Sequence, residues 1–146
     1  MAEHKAVDLA SKLLHVGPFG DATVVDGSVT PSSGALASVY VPVRIPGGVR
    51  LTGLEIDNAD LDSNVYPDLV VKAGYRPVDG VSPVADDDYF GSGLTILQSA
   101  GRNRLSFAPI TFQKTVEIIV TVTTAAATFA AGRLTAIAEM QNLGVK

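Results

Sequence analysis

An alternation of apolar residues in the last third of the chain constrains the fold most. Two segments, 116–122 and 134–140, carry an apolar residue at every second position. The apolar positions are Val116, Ile118, Val120, Val122, Leu134, Ala136, Ala138 and Met140. Successive side chains of a β-strand point to opposite faces, so each segment is predicted to be a strand with one buried face. One connecting loop predicts an antiparallel hairpin, with Glu117 on the outward face.

The same period of two recurs upstream. Strands are predicted over 22–25, 39–45, 49–57 and 69–75, separated by runs rich in Gly, Pro and Ser. Pro42 cannot donate a ladder hydrogen bond, which predicts an edge strand or a bulge. A phase shift at Gly53 predicts another bulge. The chain is therefore predicted to be all-β, an antiparallel β-sandwich or jelly roll of about seven to eight strands.

The first twenty residues follow a different pattern. Val7, Ala10, Leu13 and Leu14 recur at helical spacing, which predicts a short amphipathic helix from about Ala6 to Leu14. The alternative is an extended arm that lies on a neighbouring subunit. The glycines and the proline in the segment 17–20 would end either the helix or the arm. We therefore divide the chain into an N-terminal arm or short helix, 1–20, and a β-sandwich domain, 21–146.

The arm is more apolar than a free tail. A disordered tail is usually polar, because it cannot offset its ordering entropy by burial. We therefore expect this segment to pack against another copy of the chain or another protein. The candidate subunit-contact residues are Val7, Leu9, Leu13, Leu14 and Val16.

Composition narrows the functional classes. The chain has 146 residues, enough for one domain with its own core, and no cysteine, so disulfides and thiolate metal sites are excluded. Eleven scattered basic residues and a net charge of −4 do not form the basic stripe of a nucleic-acid binder. No apolar run is long enough for a membrane helix, and no secretory signal is expected. Charged residues make up 18%, below the usual ~25%, which favours burial in an assembly such as a homo-oligomer.

No motif predicts catalysis or cofactor binding. Both histidines, His4 and His15, lie in the N-terminal segment, away from the predicted sandwich. Gly91-Ser92-Gly93 fails as a dinucleotide loop because Ile96 replaces the third glycine. It fails as a nucleophile elbow, G-x-S-x-G, because the five-residue window centred on Ser92 begins with Phe90 instead of glycine. We expect a turn there, no catalytic or cofactor-binding residue, and a protein that is not an enzyme.

Metal and sugar sites are also not predicted. The acidic stretch 57–64 lacks the glycine and glutamate of a calcium-binding EF-hand, and the acidic run 86–88 is typical of a solvated loop. A carbohydrate- or ligand-binding sandwich module remains an alternative. It lacks support because the chain has no Trp, and its tyrosines share no strand spacing. These are Tyr40, Tyr66, Tyr75 and Tyr89.

Between about Asp57 and Ala100 the chain carries the strings Asp60-Leu61-Asp62, the segment 69–75, Asp88-Tyr89-Phe90 and Leu97-Gln98. With these strings, this part of the chain resembles small virion proteins of tailed bacteriophages, the capsid decoration or cement proteins. The resemblance implies a β-sandwich or jelly roll that binds the outside of a head lattice, with the major capsid protein as partner. It implies a virion location after assembly in the host cytoplasm. A head–tail connector or tail component is the structural alternative.

Overall fold

A computed structural model describes residues 2–10 and 21–143. These residues form eleven β-strands and one 3-10 turn, Ile96–Gln98. The strands are β1 (Glu3–Lys5), β2 (Ala22–Val29), β3 (Val39–Val41), β4 (Arg44–Ile45), β5 (Val49–Asn58), β6 (Val70–Pro77), β7 (Asp86–Leu94), β8 (Gly101–Leu105), β9 (Ile110–Phe112), β10 (Val116–Thr124) and β11 (Leu134–Asn142). The predicted all-β class is confirmed.

The strands form two sheets packed face to face. The first sheet has the order β1-β3-β10-β6-β7, with β4 also beside β10. The second has the order β2-β11-β5-β8, with β9 also beside β5. The paired strands are antiparallel except for β1, which runs parallel to β3. The antiparallel β-sandwich is therefore confirmed, with more strands than the seven to eight predicted.

The core lies between the sheets and contains the alternating residues of β10 and β11. Ile118, Val120, Leu134, Ala136 and Ala138 are all buried, as predicted. The predicted hairpin is wrong, because β10 pairs with β3, β4 and β6 whereas β11 pairs with β2 and β5. Alternation determines which face is buried but not which strand is the partner. The connection 125–133 is long enough to cross the ~10 Å between sheets.

β7 was not predicted from alternation. β7 contains Gly91-Ser92-Gly93, so the predicted turn is in fact part of a strand. Its pairing with β6 is irregular, with register shifts on both sides of Ala73. Gly93 has a φ of 63°, a conformation that glycine adopts without strain. A Cβ at Gly74 would overlap the backbone of β7, so only glycine permits this close approach.

The two predicted irregularities lie close to where they were placed. Pro42 separates β3 from β4, so the predicted strand 39–45 is interrupted there. The register of β5 against β11 shifts between Glu139 and Met140, where Gly53 and Leu51 are the partners. The phase shift at Gly53 is therefore a β-bulge, as predicted.

The N-terminal segment begins inside the sandwich, which corrects the expectation that strands start after Gly20. The Val39 N–H donates to the Ala2 carbonyl at 2.8 Å, and the Ala6 N–H to the Val41 carbonyl at 3.0 Å. These bonds hold β1 at the edge of the first sheet. Residues 7–10 form a turn rather than the predicted helix. The rest of that predicted helix, 11–14, lies outside the described residues.

Candidate functional site

The sandwich has two ends, and the strand registers assign the loops to them. Thr124 pairs with Val70 and Val116 pairs with Pro77, so the loops 59–69 and 125–133 meet at one end. The loop 30–38 joins them, since the Ala126 N–H donates to the Gly34 carbonyl at 3.1 Å. We call this the Asp62 end, after the residue that organises it. The loop 78–85 lies at the opposite end.

Asp62 is 1% exposed and accepts four backbone hydrogen bonds. Its Oδ2 accepts the N–H groups of Asp68 at 2.8 Å, Leu69 at 3.0 Å and Ala127 at 3.0 Å, and its Oδ1 accepts that of Thr128 at 2.8 Å. Burial raises the pKa of this carboxyl, but the four donors outweigh burial and hold the pKa at about 2. One side chain therefore ties two loops together, although sequence reasoning gave it no such role.

A second set of bonds extends this anchor to the tip of the loop 59–69. The Asn64 amide donates to the Thr128 hydroxyl at 3.0 Å, and the Tyr66 N–H donates to Asn64 Oδ1 at 2.9 Å. The Ser63 N–H donates to the Thr128 carbonyl at 3.0 Å. The tip presents Val65 and Tyr66 to solvent, with exposures of 85% and 82%. We call these two residues the apical pair.

The opposite end also exposes apolar side chains. Val78, Val81 and Val84 lie in the loop 78–85 and are exposed. Asp79 Oδ1 accepts the Val81 N–H at 2.8 Å, and Asp79 Oδ2 lies 3.3 Å from Lys114 Nζ. Both ends of the sandwich therefore present apolar side chains from loops that are braced by hydrogen bonds.

The outer faces of the sheets carry paired charges instead. On the second sheet, Arg104 contacts Glu139 at 3.0 Å and Glu55 at 3.4 Å, and Arg102 contacts Glu55 at 2.9 Å. These side chains come from three neighbouring strands and neutralise one another across the sheet. The pattern is typical of a solvated sheet face.

Glu117 faces outward as predicted, but other side chains cover it. It lies on the outer face of the first sheet but is only 4% exposed. Its Oε1 accepts from Arg44 at 3.0 Å and its Oε2 from Arg76 at 2.8 Å. Arg76 also pairs with Glu3 on β1. Alternation predicted the direction of the side chain but could not show the two arginines that cover it.

The candidate contact residues of the N-terminal arm separate into three groups. Val7 is fully exposed, at 105%, so it is available for a contact. Leu9 is 7% exposed and belongs to the chain's own core, so it is not available to a neighbouring subunit. Leu13, Leu14 and Val16 lie outside the described residues.

The histidines and tyrosines do not form an exposed binding site among the described residues. His4 on β1 packs beside Tyr40, with ring centroids 5.6 Å apart, and His15 lies outside the described residues. Tyr40 and Tyr75 are buried, and Tyr89 packs against Tyr75 and Phe90, with the two tyrosine ring centroids 5.7 Å apart, so Tyr75 and Tyr89 belong to an aromatic cluster and not to an exposed platform. Within the described ranges, no group of three acidic or histidine side chains is arranged to hold a metal ion. No helix among those residues is long and apolar enough to cross a membrane.

Comparison with solved structures relates this architecture to phage capsids. No protein-family model and no curated protein matches the chain. A chain in the capsid of Ralstonia phage GP4 matches with a TM-score of 0.82 and 18% identity, over 99% of this chain and 100% of that one.

Two further capsid structures match. A chain of the cyanophage Pam1 capsid asymmetric unit gives a TM-score of 0.70 and 18% identity, over 90% of this chain and 94% of that one. A chain of the acid-stable capsid of Helicobacter pylori bacteriophage KHP30 matches with a TM-score of 0.60 and 10% identity, over 88% of this chain and 94% of that one. The chain therefore shares its fold, over nearly its whole length, with chains found in phage capsids.

Proposed function

We propose that the protein is a virion structural protein, namely a capsid decoration (cement) protein that binds the outside of a phage head lattice and stabilises it. The observation that carries this proposal is the end-to-end match with a chain in a phage capsid, 99% of one and 100% of the other. A match over both whole chains means that the neighbour is also a single small sandwich. The sequence resemblance to decoration proteins points to the same role.

The surface of the chain supports a binding role of this kind. Apolar side chains are exposed at the ends of the sandwich, on loops held in place by Asp62 and Asp79. An exposed apolar side chain contributes to affinity when a partner buries it. Contact with several lattice subunits, or assembly into a homo-oligomer, would multiply a modest affinity by avidity. The proposed partner is the major capsid protein, and the proposed location is the virion, after assembly in the host cytoplasm.

The N-terminal arm remains part of this proposal in a reduced form. Val7 is exposed beside the edge of the first sheet, and we retain it as a contact residue. Leu13, Leu14 and Val16 are retained on the sequence argument alone. Leu9 is removed from the set because it packs inside its own chain.

Binding to heads that lack the protein tests the proposal. Heads from a phage deleted for this gene are mixed with purified chain, sedimented, and the bound copies are counted. We expect saturation at many copies per head, at a number set by the lattice, and a cryo-electron microscopy map with added density on the outer surface. Heads already carrying the protein serve as the control.

Two outcomes would contradict this role. Saturation at a few copies at one vertex would indicate a connector or tail component instead. An absence of binding to heads of its own phage would remove the decoration role.

A further inference from the structure

The apical pair is an unusual feature for a solvated surface. Tyr66 and Val65 are adjacent, and more than four-fifths of each side chain is exposed. Aromatic side chains are enriched among the residues that dominate protein–protein binding energy, because they bury a large area on contact. The pair therefore has the composition of an interface anchor.

The position of the pair is held in advance of any contact. Asp62 ties the base of the loop to residues 127 and 128, and Asn64 ties its tip to Thr128. A loop that is already ordered loses little conformational entropy when a partner binds it. Preorganisation of this kind raises affinity for a given contact area.

The charges beside the pair specify the chemistry of the partner. Asp60 and Asp68 lie in the same loop and are exposed, and neither carboxylate forms an ion pair within residues 2–10 and 21–143. Carboxylates at the rim of an interface favour a partner with Lys or Arg at the matching positions. The complementary surface is an apolar hollow with a basic rim.

Within residues 2–10 and 21–143, a second copy of this chain offers few unpaired basic side chains for such a rim. Among the nine described Lys and Arg residues, eight form ion pairs with carboxylates of their own chain, and Arg50 is the exception. The paired residues are Lys5, Arg44, Lys72, Arg76, Arg102, Arg104, Lys114 and Arg133. This charge pattern favours a different protein as the partner.

We propose that the Asp62 end is the lattice-facing end, and that the apical pair inserts into an apolar hollow of a capsid subunit rimmed by Lys or Arg. This inference rests on the proposed function. It adds an orientation, in which the sandwich stands with the Asp62 end on the capsid. The loop 78–85 then points away from the shell.

A double substitution of the pair, with a matched double substitution at the other end, tests the orientation. V65S/Y66S is expected to weaken co-sedimentation with heads that lack the protein by about tenfold or more, because the anchor is lost. V81S/V84S removes two exposed valines from the opposite end and is expected to bind as wild type. All four side chains are exposed, so both variants should keep the wild-type melting temperature.

A charge substitution tests the basic rim. Asp68→Asn is expected to weaken binding several-fold and to reduce its dependence on salt concentration, because one attractive charge is lost. Its backbone bond to Asp62 remains. Asp21→Asn removes the same charge beside the start of β2, at the opposite end, and is expected to leave both quantities unchanged.

The outcomes separate this inference from the proposed function. If wild-type protein binds heads and V65S/Y66S binds as tightly, the orientation is overturned while the decoration role stands. Loss of binding in V81S/V84S alone would assign the opposite end to the lattice. If V65S/Y66S instead dissociates an oligomer in sedimentation experiments without heads, the pair contacts another copy and the inference fails. If wild-type protein does not bind heads, both proposals fall.

Discussion

The buried carboxylate of Asp62 holds two loops that are more than sixty residues apart in the chain. Asp62→Asn removes the charge and places an amide N–H₂ group among backbone donors, so at least one buried N–H loses its acceptor. We expect a loss of about 3 kcal/mol in the free energy of unfolding, measured by urea titration. Asp60→Asn is the matched control, because its Oδ1 accepts only the Asp62 N–H and an amide oxygen can replace it.

The pKa of Asp62 predicts a specific dependence on acid. It is about 2 in the folded chain and 3.8 in the reference state, so the unfolded state binds the proton more tightly. The stabilisation is complete above pH ~4 and is lost as the pH falls from there through about 2, by roughly 2 kcal/mol. Unfolding free energies of wild type and Asp62→Asn should therefore converge over this window. If the unfolding free energies of wild type and Asp62→Asn changed in parallel with pH, the Asp62 carboxylate would not be the source of this stability.

Glu117 provides a second test at the level of single residues. Alternation alone predicts that Glu117→Gln is silent. The structure predicts a loss of about 2 kcal/mol, because Arg44 and Arg76 would share a neutral amide in a mostly buried site. Glu139→Gln also breaks an arginine pair, but on an exposed sheet face, and should leave the urea midpoint almost unchanged. Equal midpoints for the two variants would contradict the burial of Glu117.

Among the elements, β1 changes the interpretation of the N-terminal segment. Leu9 follows β1 and is buried, whereas Val7, two residues earlier, is fully exposed. Leu9→Ala should lower the free energy of unfolding by about 2 kcal/mol, because it removes buried apolar area and leaves a cavity. Val7→Ala should leave stability unchanged. If Leu9→Ala were silent and instead weakened binding to heads, the original assignment of Leu9 as a contact residue would be restored.

The sequence predicted the elements whose own residues carry the signal. β10 and β11 were found because one face of each is apolar, and the bulge at Gly53 because the alternation changes phase there. β7 was missed because its pairing depends on glycines and on the neighbouring strand rather than on a pattern of its own. Asp62 was missed for a related reason, since four donors reach it only after distant loops have met. Local patterns report burial, whereas strand pairing and the buried carboxylate depend on tertiary structure.

At the scale of the whole molecule, the distribution of charge separates the faces from the ends. The sheet faces carry ion pairs such as those of Glu117 and Arg104, whereas most of the exposed large apolar side chains lie in the end loops, with Val24 on β2 as an exception. The broad faces of such a sandwich can remain solvated while a narrow end contacts a neighbouring protein. Docking by one end leaves most of the molecule solvated, which suits a protein added to a completed surface.

This arrangement predicts that the lattice stabilises the chain through mass action. A partner that binds only the folded state stabilises it by about 2.7 kcal/mol when free sites exceed the dissociation constant a hundredfold. Wild-type protein on heads should therefore melt several degrees higher in scanning calorimetry than free protein. With binding weakened about tenfold or more, V65S/Y66S should lose about half of that shift or more, while its melting temperature in free solution is unchanged. If the melting temperature of this variant rose on heads as much as that of wild type, the lattice would bind the chain through another surface.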